Sequence, residues 1–290
     1  MAKSGADARG QSAFRSLVAV VAATLPLAAL PLDCATAVGP NWPSRVSATY
    51  QLSFGGFDVG VYHFDADFAG KSYAAVGKTE VSALFGAFKW AGTFTGKGTL
   101  EPSGLQPGVF EMRYKSKKKV TSVKIGFTGT GVSSVALVPN KPPSPEAIKL
   151  KPENLKNVFD PMAAMIAVSD ARPADACNRT IPVFDGKQRY DLRLSFKGRE
   201  PITESHPSGQ PRELIVCRVK YVPIAGHKPK DFVNPWIDYD KIEIALRAVP
   251  KAGIYVPYRV TIPSTIGNAV MTAETINITA ADNQQIALKQ

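Results

Sequence analysis

Five aspartates are the residues of this sequence whose type and spacing could serve acid–base chemistry. Asp65 and Asp67 are separated by one residue, as are Asp238 and Asp240, and Asp58 lies shortly before the first pair. Two carboxyl groups held ~5 to 9 Å apart can hydrolyse a glycosidic bond, one as the acid and the other as nucleophile or base. These aspartates are therefore compatible with the hypothesis that the protein is a hydrolase that acts on glycans.

Other catalytic and metal-binding patterns are missing from the sequence. The three histidines, His63, His206 and His227, do not have the spacing of metal ligands. The acidic residues at 238–243 lack the third ligand and the glycine of a calcium loop. Neither a Gly-x-Ser-x-Gly nucleophile elbow nor a phosphate-cradling loop occurs. We therefore expect a non-enzymatic protein with no catalytic residues, no metal and no cofactor.

Two cysteines are expected to form a disulfide. Cys34 lies in an N-terminal segment that we expect to be removed, which leaves Cys177 and Cys217. An even number of cysteines in an oxidising compartment usually forms bridges. In the loop-entropy account this bridge contributes about 4 kcal/mol. The Cys-x-x-Cys motif of disulfide exchange is absent, so we expect a structural bridge.

Residues 1–37 have the order of a secretory signal peptide. Three basic residues precede the apolar run Leu17 to Leu30, and Ala35-Thr36-Ala37 then supplies small residues for cleavage after Ala37. The run is shorter than the ~20 residues of a membrane span, so we expect no transmembrane segment after processing. Asp33 before Cys34 argues against a lipoprotein site. The sequence thus predicts an exported, periplasmic protein.

The charge balance is basic and dispersed. The chain has 35 Lys and Arg against 24 Asp and Glu, a net charge of +11, which falls to +10 without residues 1–37 because these hold three basic and two acidic residues. Lys117-Lys118-Lys119 is the tightest run and is expected at a hairpin tip. Such a surface suits solubility, anionic lipid head groups or acidic glycans. Export argues against nucleic acid as a partner.

One buried helix is expected to position the rest of the chain. In Asn154 to Val168, Asp160 offers a cap, Pro161 follows at the first helical position, and the next seven residues are apolar. A short helix that is apolar all round has no face for water and should be buried. The strand that starts at Phe88 alternates aromatic residues and then glycines on one face, which indicates either a tight bend or an element packed close to its backbone, with the helix as the natural candidate.

These two segments define a candidate apolar cavity, because methionine suits an adaptable lining. A plain hydrophobic core is the alternative reading. The predicted lining is Phe88, Trp90, Phe94, Met162, Met165 and Ile166.

Most other segments alternate apolar and polar residues, as half-buried antiparallel strands do. Arg45 to Phe54 is the clearest case, and Asp185-Gly186 marks a hairpin turn. The predicted fold is all-β and mainly antiparallel, a curved sheet, open barrel or β-spiral wrapped around the helix. We expect one β-rich domain over 38–290, with a first β half (38–140), a Pro-rich connector (141–153), the central helix (154–168) and a second β half (177–290).

The chain resembles an exported Gram-negative family known as domain of unknown function 3108. The matching features are Tyr50, Gly55 and Val59-Gly60 in the first hairpin, the turn Gly104-Leu105-Gln106-Pro107, the Asp160 helix start, Cys177, and Phe184-Asp-Gly-Lys-Gln-Arg-Tyr-Asp-Leu192. The resemblance covers most of the chain after residue 37. It implies a periplasmic or envelope-associated β protein without an assigned activity. A similar-looking periplasmic group forms a β-spiral around a helix and supports envelope integrity.

Three hypotheses remain open. The first is a non-enzymatic periplasmic protein that helps maintain the cell envelope and binds a lipid, a peptide or another envelope protein. The second is a hydrolase acting on envelope glycans through paired carboxylates. The third is a purely structural scaffold with a solid core. An apolar cavity favours the first, a carboxylate cleft the second, and neither the third.

The signal sequence generates a direct prediction. We expect cleavage after Ala37, because a basic start, an apolar run and small residues occur in that order. Mass spectrometry of the exported protein should show Val38 as its first residue. An intact N-terminus, or an acyl group on Cys34, would contradict this prediction.

Overall fold

Fourteen β-strands and one nine-residue α-helix dominate the computed structural model, which describes residues 42–289 except 84–87, 103, 117–118, 171–175, 205–207 and 230–236. The predicted signal peptide and Ala37 lie outside these residues. The helix α1 spans Pro161–Ser169. The strands are β1 (Arg45–Phe54), β2 (Phe57–Ala69), β3 (Ser72–Ala83), β4 (Phe88–Glu101), β5 (Gly104–Ser116), β6 (Lys119–Thr128), β7 (Gly131–Val138), β8 (Arg179–Phe184), β9 (Arg189–Pro201), β10 (Glu213–Ala225), β11 (Ile242–Val249), β12 (Ile254–Ile262), β13 (Ala269–Thr279) and β14 (Gln285–Lys289).

All fourteen strands form one antiparallel sheet in the order β7-β6-β5-β4-β3-β2-β1-β13-β12-β11-β10-β9-β8, with β14 added to β13. The first seven strands form a meander, since each pairs with its sequence neighbour. The two predicted β halves join through β1 and β13, whose register runs from Arg45 opposite Thr279 to Phe54 opposite Ala269. The predicted all-β, mainly antiparallel class is therefore confirmed, with a large sheet that does not close.

The segment before the helix contacts both edge strands of this sheet. Lys156 forms a bridge with Gly131 at the start of β7, and Phe159 forms a parallel bridge with Val183 in β8. The Phe159 N–H donates to the Pro182 carbonyl at 2.9 Å, and the Phe159 carbonyl accepts from the Phe184 N–H at 2.8 Å. The segment from Lys156 to Phe159 therefore links the two edge strands of the open sheet.

The predicted start of the helix is confirmed, because Asp160 caps it and Pro161 is its first residue. The bounds 154–168 given to the central segment are wider than the helix, because residues Pro152–Leu155 form a 3-10 turn and the chain is extended at Asp160. Pro161 explains the difference, since the residue before a proline is disfavoured in helical geometry. The helix then runs for nine residues and buries Met162, Ala163, Ala164, Ile166, Ala167 and Val168.

The helix lies close to β4, where the sequence predicted a close approach. A Cβ atom placed on Gly96 would come within 2.9 Å of the Met162 Cβ. On the same strand, the backbone at Gly98 faces the Gln106 carbonyl of β5 and the ring of Tyr73, and Gly92 faces the ring of Trp90. The alternating glycines of β4 therefore make room for the helix at one position and for aromatic rings at two others.

The disulfide predicted from the cysteine count is present. Cys177 and Cys217 are bonded, with their Cα atoms 5.2 Å apart. The bridge ties the segment before β8 to the middle of β10, and both cysteines are buried in an apolar cluster that includes Ala164 and Val168 of the helix. It therefore fastens the chain after the helix to the sheet.

Gly96 gives a stability prediction. We expect Gly96→Ala to destabilise the fold by roughly 1–3 kcal/mol, because the new methyl group would press on the Cβ of Met162 rather than on a movable chain end. Denaturant unfolding monitored by circular dichroism measures the change.

Gly198 is the matched control, since it also lies in a strand but a Cβ there would meet nothing within 4 Å. Gly198→Ala should leave stability unchanged or raise it by about 0.4–1 kcal/mol through the unfolded chain. Equal effects of the two substitutions would show that the close helix–strand contact is not what constrains Gly96.

Candidate functional site at the central helix

A buried carboxylate starts the helix. One oxygen of Asp160 accepts hydrogen bonds from the backbone N–H groups of Met162 at 2.9 Å and Ala163 at 3.0 Å. Both groups belong to the first helical turn and would otherwise lack a partner. The residue has no exposed surface. The helix start is therefore satisfied by a side chain that is itself removed from water.

Burial changes the acidity of this group. Burial raises the pKa of Asp160 from 3.8 to about 6, and the hydrogen bonds from Ala163 and Met162 only partly oppose this effect. Among the described residues its second oxygen has no hydrogen-bond partner, nor has the buried hydroxyl of Tyr73. Burial, and then the charge of Asp160, raise the pKa of Tyr73. Asp160 thus titrates near neutrality inside the fold.

Two methionines of the helix face a tyrosine of β2. The Tyr62 hydroxyl lies 3.6 Å from the Met165 sulfur and 4.0 Å from the Met162 sulfur. The ring of Tyr50 packs 6.0 Å from that of Tyr62, and burial raises the pKa of both tyrosines. This side of the helix is therefore apolar and holds the tyrosines in their neutral form.

An apolar cleft lies between the helix and the sheet. Its volume is about 30 Å³, and one water molecule needs ~10 to 15 Å³ on this measure. The cleft therefore has room for about two waters and not for a whole acyl chain. The lining comes from α1 and from strands on both sides of the β1–β13 pairing: Trp42, Val46, Tyr50, Phe64, Phe68, Met165, Ile166, Ser169, Ile254, Val256, Pro257 and Ile276.

The predicted cavity is only partly realised. Met165 and Ile166 line the cleft, whereas Met162 is buried against Gly96 of β4. Trp90 instead packs against Phe94 and Tyr114, with ring centroids 6.3 and 5.9 Å apart. The aromatic residues of β4 therefore do not share this cleft, because β4 and the cleft-lining strands meet different parts of the helix. Phe88 starts β4, and its side chain lies outside the described residues.

The predicted carboxylates are dispersed over the surface. Asp65 and Asp67 lie on β2 and each bonds Arg45 at 3.2 Å. Asp238 pairs with Lys241 at 2.9 Å and Asp240 with Lys220 at 3.2 Å. Asp58 is exposed beside the β1–β2 turn. Cations therefore neutralise four of these five carboxylates. In the described part of the chain, no group of three His, Cys, Asp or Glu residues could hold a metal.

A second, wider groove lies beside the β4–β5 turn. Its volume is about 420 Å³, and its lining includes Gln106 and Pro107 of the turn that resembled the family motif. Glu101 is its one ionisable side chain among the described lining residues. The groove is thus mostly uncharged and does not bring two carboxyl groups together.

The histidines are held by neighbouring side chains. The Nδ1 of His63 lies 3.2 Å from the Thr49 hydroxyl on the exposed sheet face. His227 is buried, and its Nε2 lies 3.3 Å from the hydroxyl of Tyr221. Tyr221 in turn packs on Tyr190, with centroids 4.7 Å apart. His206 lies outside the described residues.

Sequence reasoning missed a buried ion pair. Arg247 of β11 is fully buried, bonds the carboxylate of Glu204, and donates to the Ser208 hydroxyl at 3.0 Å and the Pro211 carbonyl at 3.1 Å. Burial raises the pKa of Glu204, but hydrogen bonds from Ser208 and Arg247 lower it more, to about 2. An arginine within the apolar run of β11 was the available signal. The pair anchors the loop between β9 and β10.

Comparison with known proteins decides the family. The sequence matches the profile described as "Protein of unknown function (DUF3108)" over residues 49–274, which is more than half of the chain. The chain belongs to the DUF3108 family. Comparison with curated proteins gives no match.

A solved structure shares the fold of this DUF3108 chain. It is a "Beta-barrel-like Protein of Domain of Unknown Function DUF1849 from Brucella abortus", with a TM-score of 0.51 and 11% sequence identity. The alignment covers 82% of this chain and 98% of that one. At this identity the similarity extends to the fold alone, and it agrees with the curved antiparallel sheet described above.

Asp160 makes stability depend on pH. Its pKa of about 6 in the folded state lies above the ordinary 3.8, so the folded protein binds the proton more tightly than the unfolded chain. This stabilisation is complete below pH ~4 and is lost as the pH rises through ~6. Asp160→Asn keeps a cap oxygen and cannot ionise. We therefore expect its stability relative to wild type to improve by up to about 3 kcal/mol between pH 4 and 7.

Asp160→Ala is the control for the cap. It removes both hydrogen bonds to the helix and should destabilise the protein by about 1 kcal/mol or more at low pH, where the charge plays no part. Thermal unfolding of the three proteins at several pH values separates the two effects. A gap between wild type and Asp160→Asn that stays constant with pH would refute the titration of Asp160.

Proposed function

We propose that this DUF3108 protein is an exported, non-enzymatic protein that helps to maintain the cell envelope by binding a lipid or a peptide. One observation carries the proposal: between helix α1 and the inner side of the sheet lies a cleft lined by aromatic and aliphatic side chains. The helix buries six of its nine residues. What is left beside it is a narrow apolar cleft.

The chemistry of the cleft favours binding of apolar groups. Its lining combines aromatic and aliphatic side chains, and Ser169 is its one side-chain hydroxyl besides that of Tyr50. The Tyr50 hydroxyl already donates to the Pro257 carbonyl at 3.1 Å. The present volume suits the end of an acyl chain or one small apolar side chain of a peptide. Met165 is flexible and only partly buried, so its movement would enlarge the cleft.

The disulfide supports the proposed export, because such bridges persist in oxidising compartments. The predicted signal peptide points to the same location. Within the described residues, no helix is long and apolar enough to span a bilayer.

The hydrolase remains the alternative with a defined test. A glycosidase needs one carboxyl group that donates a proton and a second that is free to attack or to activate water. Here Asp65 and Asp67 share Arg45, and Asp238 and Asp240 each bind a lysine. This pairing favours a role for these carboxylates in surface ion pairs.

Deletion and complementation test the proposed function. We expect cells that lack this gene to become sensitive to detergent, and the wild-type gene to restore resistance. The variants Asp65→Asn/Asp67→Asn and Asp238→Asn/Asp240→Asn should restore it equally, because the proposed role needs no catalytic carboxylate. The variant Ser169→Phe should not restore it, because a phenyl ring at the end of the helix would fill the mouth of the cleft.

Controls make each outcome informative. Every variant is checked for export by mass spectrometry and for folding by thermal unfolding. Loss of function in a folded, exported carboxylate variant would favour the hydrolase. Full function in Ser169→Phe would remove the cleft from the mechanism and leave the scaffold hypothesis, and a deletion strain without an envelope defect would refute the proposed role.

A further inference from the structure

One end of the sheet exposes apolar side chains that neither the helix nor the cleft uses. Because consecutive strands are antiparallel, the turns after β1, β5 and β12 lie at this same end, which we call the turn rim. Eleven large apolar side chains are exposed among the described residues, and seven lie at the turn rim. Val120 follows the β5–β6 turn, Val138 ends β7, and Ile148 is bonded to the chain that follows β10. The other four form one patch.

That patch consists of two adjacent turns. Phe54 pairs with Phe57 across the β1–β2 turn and with Ala269 across the β1–β13 pairing. The Gly55 N–H donates to the Asn268 carbonyl at 3.0 Å, which joins the two turns directly. Phe57 is 77% exposed and Ile266 is 62% exposed. Phe54 and Ile262 are exposed beside them, so apolar side chains project from the tips of both turns.

Four lysines lie on the same rim as this patch, three on β4, β5 and β6 and one in the β8–β9 turn. Their side chains are exposed, and among the described residues none of them has an ion-pair partner. They are Lys89, Lys115, Lys119 and Lys187. Acidic residues lie on this rim too: Asp58 beside the β1–β2 turn, Glu80 near the end of β3, and Asp238, whose N–H donates to the Pro263 carbonyl of the β12–β13 turn and whose carboxylate pairs with Lys241. At the opposite rim Arg45 binds two aspartates and Arg199 binds Glu213, and none of the eleven exposed apolar side chains lies on a turn there.

The shape and size of the patch favour a bilayer over a second protein. Its four side chains lie at or beside the tips of two turns and expose roughly 400 Å² of apolar surface. A specific protein interface buries about 1,000 Å² or more summed over both partners, or about 500 Å² on each, and needs complementary packing. A lipid interface deforms around projecting side chains, and its anionic head groups attract lysines nearby.

We propose that the turn rim binds the surface of a bilayer that contains anionic lipids. Phe57 and Ile266 enter the boundary between head groups and acyl chains, and the four lysines contact lipid phosphates. This inference goes beyond the proposed function, because it concerns a surface away from the cleft, whose lining includes Trp42 and Phe68 near the opposite rim. A protein held in this way presents its cleft away from the membrane.

Vesicle co-sedimentation tests the inference with the exported protein, whose N-terminus is first checked by mass spectrometry. The probes are vesicles of phosphatidylcholine alone and of phosphatidylcholine mixed with phosphatidylglycerol. Wild type should bind the mixed vesicles, and binding should weaken as salt is added. Phe57→Ser/Ile266→Ser should lower the partition coefficient by about tenfold or more, because two apolar side chains no longer leave water. Lys119→Gln and Lys187→Gln should each lower it about fivefold.

Phe196→Ser is the matched control, because Phe196 is 60% exposed but lies in the middle of β9. It should bind vesicles like wild type. Equal binding by Phe57→Ser/Ile266→Ser and wild type, or an equal loss in Phe196→Ser, would overturn the proposal. So would a concentration-dependent dimer that the double variant abolishes, since the patch would then join two copies. A double variant that loses vesicle binding but still restores detergent resistance would uphold the lipid surface and separate it from the envelope role.

Discussion

The burial of an entirely apolar helix is the constraint on which this structure depends. Helix α1 has no polar face, so it folds only where other elements surround it. The sheet surrounds the helix because it curves. Strands that are far apart in the sheet, such as β4, β8 and β12, therefore contact the same short helix. The segment 156–159 bonds both edge strands just before the helix begins. Helix and curved sheet are thus mutually dependent.

Packing the helix inside the sheet imposes two local requirements on the sequence, one in β4 and one at the start of the helix. β4 carries a glycine at position 96 because a side chain there would meet the helix at Met162. The helix start needs a hydrogen-bond acceptor, and Asp160 supplies it at the expense of burying a carboxyl group whose pKa is thereby raised. A neutral Asp160 fits this site best, so the helix contact and the proton are coupled.

The filled interior limits what could bind beside the helix. About 30 Å³ is left there, which has room for a small apolar group only, so a larger molecule would have to contact the outer surface. The two rims differ in the apolar side chains that they expose, since four of these form a patch on adjacent turns at one end and none lies on a turn at the other. The shared fold with the DUF1849 structure extends the architecture beyond the DUF3108 family.

The amino-acid sequence by itself determined the elements of this protein. Alternation of apolar and polar residues marks strands such as β1, an unbroken apolar run marks the helix, and the two remaining cysteines mark the disulfide. The strand and helix signals are local, and the disulfide follows from the number of cysteines, so all three can be read without three-dimensional information. The alternate glycines of β4 indicated either a tight bend or a near neighbour, and at Gly96 the structure shows the neighbour.

Only the tertiary structure decided which elements meet. The local sequence around Arg45 does not indicate that it lies opposite Thr279, because pairing between distant strands depends on how the whole sheet curves. For the same reason the cleft formed between β1, β2, β12 and the helix rather than at the aromatic residues of β4. The partner of Arg247 was equally hidden, since Glu204 lies 43 positions earlier in the sequence. The positions of the cleft and of the buried ion pair therefore depend on long-range packing, which sequence periodicity does not reveal.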